Sequence, residues 1–194
     1  MNRISRTDGG TFTRHGAAWS EATELGANEY RVRLGGAFHG GWMANLCSHL
    51  AEAQLSIDHI HARLTTDDVW LAELHLIRMS AVTDPLDLDY AALALEEDEA
   101  PASGRLEIDN YRLLESRDYG GSLMLTLEAP DSLGLLGALL GPLARLGLFP
   151  IELHIETRAG RADDSLWLTT AGGGAPSHDA RDAVAELLDR SRAR

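Results

Sequence analysis

The side chains best suited to chemistry gather in the first half of the chain. His39, His59, His61 and His75 fall close together, and His59 and His61 alternate with Ile60, Ala62 and Leu64. That period-two pattern puts the two histidines on the polar face of a strand. His39 stands at the end of a neighbouring strand. His39, His59 and His61 are therefore a candidate imidazole set for zinc or nickel. The spacing H-x-H arises often by chance and no cysteine or second motif supports it, so no metal is assigned. Cys47, the one cysteine, lies on the apolar stripe of a helix and reads as a small core residue rather than a reactive thiol. There is no Ser-His-Asp order, phosphate-binding glycine loop or zinc protease motif. The expectation is a protein that is not an enzyme and carries no cofactor.

A second kind of site is built from backbone. Two glycine-bearing turns precede leucine-rich helices, and their glycines Gly41 and Gly134 stand 93 positions apart (134 minus 41). The first N–H groups of a helix have no intrahelical partner, so such a turn is a ready place for a small anion such as an amino acid carboxylate. In the later turn Asp131 reads as the helix N-cap, and Gly134 in the first turn gives a ligand close access. In the earlier turn Phe38 and His39 replace Asp131 and Ser132, followed by Gly40 and Gly41.

The elements around these turns occur twice. Leu123, Leu125 and Leu127 alternate along a strand; Leu136, Leu139, Leu140 and Leu143 recur at helical spacing; Gly147 closes the helix; Ile151, Leu153 and Ile155 mark the next strand. After a turn at Ala159-Gly160 comes a strand with Trp167, then a helix capped by Ser177. Copy one repeats the plan with Tyr30, Val32 and Leu34, then Met43, Leu46, Cys47 and Leu50, then Ile60, Ala62 and Leu64, then Trp70. Residues 87–95 read as its weaker last helix. The tryptophans stand 97 apart (167 minus 70), which implies an insertion in copy two after its first helix. The acidic pairs Asp67-Asp68 and Asp163-Asp164 read as solvated turn residues. The G-x-x-x-G spacing of Gly137 and Gly141 reads as close packing of a helix on its sheet. Strand-like residues precede each copy, at 11–23 and 105–114, so each leading strand completes its own sheet or the copies exchange edge strands. Residues 96–104 read as a linker.

Composition narrows the classes. Hydrophobic residues make up 44% and charged residues 24%, the profile of an ordinary globular protein. A formal net charge of −13 argues against nucleic acid or an anionic membrane as the main partner. A single cysteine permits no intrachain disulfide and fits a reducing, cytoplasmic setting. The N-terminal MNRISRTDGGTFTRHG has no apolar core of a secretory signal. The apolar run from Ser132 to Ile151 is interrupted by Pro142 and Arg145, too short to span a membrane.

The stretch APDSLGLLGALLGPLARLGLFPIELHIETR, with its Asp131-Ser132-Leu133-Gly134-Leu135 turn, resembles an ACT domain over residues 121–190. It is similar to the ACT domains of PII uridylyltransferases and of the glycine cleavage repressor. Copy one, HGGWMANLCSHLAEAQLSIDHIHAR, is a divergent match over residues 28–95, departing at Phe38 and His39. The resemblance implies an α+β chain of two tandem ferredoxin-like βαββαβ domains, 11–100 and 105–194. Each would have an antiparallel sheet with helices on one face. It implies a regulatory, allosteric protein sensing an amino acid or similar effector between paired domains. The ligand would be held by Phe38, His39, Gly40 and Gly41 and by Asp131, Ser132, Leu133, Gly134 and Leu135. A homodimer acting on a partner protein is expected. The rivals are a metal-binding protein using the copy-one histidines and a ligand-free interaction module.

Overall fold

The computed structural model describes residues 2–7, 10–15, 17–96 and 105–192. Most of the expected linker, residues 97–104, and Arg194 lie outside the described residues. The chain is α+β: among the described residues ten strands form one antiparallel sheet, with four helices. In chain order these are β1 (Asn2–Thr7), β2 (Gly10–His15), β3 (Ala18–Gly26), β4 (Glu29–Gly36), α1 (Trp42–Glu52), β5 (Leu55–Leu64), β6 (Trp70–Arg78), α2 (Tyr90–Leu95), β7 (Asn110–Ser116), β8 (Ser122–Pro130), α3 (Leu135–Arg145), β9 (Leu148–Arg158), β10 (Arg161–Thr170) and α4 (His178–Arg190).

The sheet order is β1-β2-β3-β4-β6-β5-β9-β10-β8-β7. From β3 onward it reads the same from both ends: β3-β4-β6-β5 mirrors β7-β8-β10-β9. Each half has the element order ββαββα and is consistent with ferredoxin-like folds. The leading strand of each half pairs with the next strand of its own half, β3 with β4 and β7 with β8, so no edge strand is exchanged. The two halves meet where β5 pairs antiparallel with β9.

Alternation explains which side is covered. Val32, Leu34, Ile60, Ala62, Leu74 and Leu76 in the first half are buried, as are Leu125, Leu127, Leu153, Leu166 and Leu168 in the second. They share a core with Leu46 and Leu50 of α1, Leu139 and Leu143 of α3, and Val184 and Leu188 of α4. Each fully buried Leu or Ile is worth about 1.5–3 kcal/mol of transfer free energy. α1 and α3 also pack on each other. A Cβ on Gly137 would stand 3.2 Å from the Ser48 hydroxyl and 3.7 Å from Cβ of Cys47, so this glycine seats α3 against α1 rather than against the sheet.

Several expectations are corrected. The segment 11–23 is not one strand but most of a hairpin, with β2 and β3 on either side of a turn at Ala17. The last helix of the first half starts at Tyr90, because the Asp89 carboxylate caps it by accepting from the Ala92 N–H at 3.1 Å; Asp87 belongs to a preceding 3-10 turn. β7 begins at Asn110, later than 105. Trp70 and Trp167 are not counterparts. Trp70 lies between Gly36 and Leu64, as Ala162 lies between Ala129 and Thr157, while Trp167 occupies the place of His75. No insertion after the first helix separates the copies. Ile151 falls on a β-bulge of β9 and is only half-buried; Asp58 falls on the equivalent bulge of β5.

Candidate functional site

The α3 turn is the better formed of the two. Gly134 adopts φ 83, a left-handed conformation that suits glycine, and it, not Asp131, is the N-cap; no side chain caps the helix. The correction has a geometric cause. The left-handed residue delays the helix to Leu135, whose N–H bonds the Ser132 carbonyl at 3.0 Å. Asp131 is thereby freed from capping and lines a cavity instead.

That cavity lies at the seam between the halves. Asp131, Ser132, Leu133, Gly134 and Leu135 form one wall, Leu55, Ser56 and Ile57 at the start of β5 another, with Cys47, Ala162 and Asp164 also lining it. All five turn residues expected from the sequence are therefore brought together. The space holds only about 30 Å³, room for one water.

Its most consequential group was read wrongly from the sequence. Asp164 is not a turn residue; it sits within β10, 1% exposed, in phase with Ala162, Leu166 and Leu168. Its Oδ1 has no hydrogen-bond partner, one of two such buried side-chain atoms among the described residues, the other being the Ser122 hydroxyl. Burial pushes its carboxyl up to about 7; a backbone N–H bond at Glu156 opposes this, and the carboxylates of Asp163 and Asp131 add to it. Asp131 is also raised, by burial first and then by Asp58. Burial likewise raises the Cys47 thiol above its ordinary range, which disfavours the thiolate. The site thus offers N–H groups at a helix start above two acids that are poorly solvated, one of them with an unpartnered oxygen.

The turn of the first half is filled differently. Phe38 is buried against Trp42 (centroids 4.9 Å apart), and Trp42 meets Trp70 edge-on at 5.3 Å. His39 Nδ1 accepts from the Gly41 N–H at 3.1 Å, and its Nε2 bonds the Glu96 carbonyl at 2.8 Å. Phe38 and Gly40 border a cleft of about 530 Å³ with Trp70, Phe149, Ile151 and Thr170. A Cβ on Gly40 would meet the Phe149 ring at 2.8 Å, so this glycine makes room for phenylalanine.

The candidate trio His39, His59 and His61 is not brought together. His39 is tied to the α1 turn, and His59 meets His75 edge-on at 5.8 Å. His61 instead stacks on His154, with centroids 4.5 Å apart and planes 19° apart, directly opposite it in the β5–β9 register. Glu152 Oε1 accepts from the His154 Nε2–H at 2.7 Å, and its Oε2 accepts from the Tyr119 hydroxyl. Burial and then His154 hold the His61 imidazole below its ordinary pKa. Burial opposes ionisation of Glu152, but its bonds to Tyr119 and His154 hold its carboxyl below the usual range. Glu152, His154 and Tyr119 were missed by reading each copy separately. The signal was present: the glycine spacing of 93 carries His61 onto His154.

No family model matches the chain, and no curated protein matches it. Among solved structures it is similar to aspartate kinase from Synechocystis, with a TM-score of 0.48 and 14% identity. The match covers 84% of this chain and 27% of that one, so the chain spans about a quarter of the kinase's length. No helix among the described residues is long and apolar enough to cross a membrane.

Proposed function

We propose that the chain is a tandem ACT-type regulatory protein, with domains 11–100 and 105–194, that binds a small amino acid or similar zwitterion at the α3 turn and passes the signal to a partner protein. The observation that carries the reading is the buried Asp164 carboxylate, whose Oδ1 has no partner, beneath an uncapped helix start. An α-ammonium group supplies the donor that Oδ1 lacks, and its adjacent carboxylate meets the free N–H groups of α3. The acid and the helix end thus select opposite charges on one small molecule.

The small volume gives the regulation its form. A site of about 30 Å³ does not admit an amino acid without movement. Its two walls belong to different halves, β5 from one and the α3 turn from the other. Effector binding therefore selects a state in which the seam has opened, and the shift reaches a partner or a second copy through the changed packing of α1 on α3.

The test is a thermal-shift screen of the twenty amino acids at pH 7.5. A ligand at one hundred times its dissociation constant stabilises by about 2.7 kcal/mol, hence a Tm rise of roughly 5–11 °C for a chain of this size. Asp164→Asn should abolish the response while His39→Ala keeps it. A flat screen, or a response that survives Asp164→Asn, ends the proposal.

A further inference from the structure

The geometry points to a divalent transition-metal site of the zinc or nickel class on the helix-free face of the sheet, formed by His61, Glu152 and His154. It is independent of the α3 turn and of the effector reading. Among the described residues these three form the group of metal-binding side chains whose ligand atoms all lie within 4.8 Å of one another.

Topology brings the donors together. His61 and His154 are opposed across the β5–β9 pair, and residues directly opposite in an antiparallel pair project on the same side. Glu152 lies two residues from His154 on β9, hence on that same side. A tetrahedral ion with bonds of about 2.0–2.1 Å needs its ligands about 3.4 Å apart, so small side-chain rotations close the set. Two imidazoles and a carboxylate favour zinc, nickel or copper over magnesium or calcium, and three protein ligands leave a position for water or a small ligand.

The surroundings hold the carboxylate in place. Tyr119 donates its hydroxyl to Glu152 Oε2, leaving Oε1, now bonded to His154, to turn to an ion. Tyr119 takes φ 58, a left-handed backbone that is costly for an aromatic residue, in the 3-10 turn Asp118–Gly120. Its ring meets Trp167 edge-on at 6.4 Å, and Trp167 also meets His154 at 5.5 Å. Such outer partners orient metal ligands and raise affinity. Because the ligands come from both halves, the bound ion would clamp the seam from the face opposite the helices.

The experiment uses the full chain without a histidine tag, stripped with a chelator and titrated with zinc by calorimetry and with cobalt by visible absorption. One equivalent should bind, with cobalt giving the d–d bands of a four- or five-coordinate site. His61→Ala and His154→Ala should each weaken zinc binding at least tenfold, and Tyr119→Phe by about tenfold. His59→Ala, on the neighbouring histidine pair, should leave it unchanged. Circular dichroism melts establish that each variant is folded, which these surface positions permit. Absence of stoichiometric binding, or binding unaffected by both His61→Ala and His154→Ala, overturns the proposal.

Discussion

The α1 turn and the α3 turn occupy matching places in the two halves, yet they are finished with opposite chemistry. Where the second half has Asp131, Ala162 and Asp164, the first has Phe38, Trp70 and Ala72. The first turn is closed by three aromatic rings in tilted and edge-on contact and a histidine that bonds its own loop. The second is left with an uncapped helix and a buried carboxylate with one unpartnered oxygen. Matching backbone positions in the two halves are thus finished by side chains of opposite character. One turn is packed with rings; the other carries the energetic cost of a buried carboxylate oxygen with no partner, the feature on which the proposed effector site rests.

The largest effect should come from breaking the aromatic closure. Trp42 is buried between Phe38 and Trp70, and its replacement by alanine should cost about 3–5 kcal/mol in urea denaturation. A loss below about 1 kcal/mol would show that the rings are not what holds the first turn. The amino acid response proposed for the α3 turn should persist in any fraction that remains folded.

Next comes Asp164→Ala, which gives the second half the residue that the first has at Ala72. Removing a buried carboxylate with one unpartnered oxygen should stabilise the chain by about 1–3 kcal/mol at pH 8. The pH dependence sharpens this. Asp164 binds its proton more tightly in the folded state, where it is pushed up to about 7, than in the unfolded chain, near 3.9. Its contribution is therefore most favourable below pH 4, declines by at most about 1.4 kcal/mol per unit as pH rises to 7, and levels off above. The Asp164→Ala chain should lose this declining component. If wild-type and variant show parallel stability curves from pH 4 to 8, the carboxylate is not held as described.

How much of this could be read beforehand follows from particular residues. The leucine alternation at 123, 125 and 127 and the helical recurrence at 136, 139, 140 and 143 mark real buried faces, because burial leaves a periodic trace. The caps were less legible. Ser177 caps α4 as expected, bonding the Ala180 N–H at 3.2 Å. Asp131 does not cap α3, because a left-handed glycine three residues on can restart the chain direction without any sequence change at the acid. Asp164 was hidden by its neighbour: an Asp-Asp pair near a hairpin resembles a turn, although its phase with Ala162, Leu166 and Leu168 already puts it on the core side. The His61–His154 pair was hidden for another reason. Contacts between repeats follow the symmetry of the whole sheet, which no single repeat contains.

The smallest expected effects give the most direct test of the comparison, because they alter the two turn glycines alone. Gly134 holds φ 83, so Gly134→Ala forces an L side chain into left-handed backbone and should cost about 1–2 kcal/mol. Gly41 holds φ −87, and a Cβ there would meet only the His39 ring at 3.5 Å, an ordinary contact. Gly41→Ala should therefore change stability by less than about 0.5 kcal/mol. Thermal melts of the two variants compare positions that correspond in the repeat, with the same methyl group added to each. Equal losses would mean that the turns share a backbone requirement and differ only in their side chains. The unequal losses expected here mean that the left-handed cap is particular to the α3 turn. It is then the feature that frees Asp131 from capping and lets it line the same cavity as Asp164.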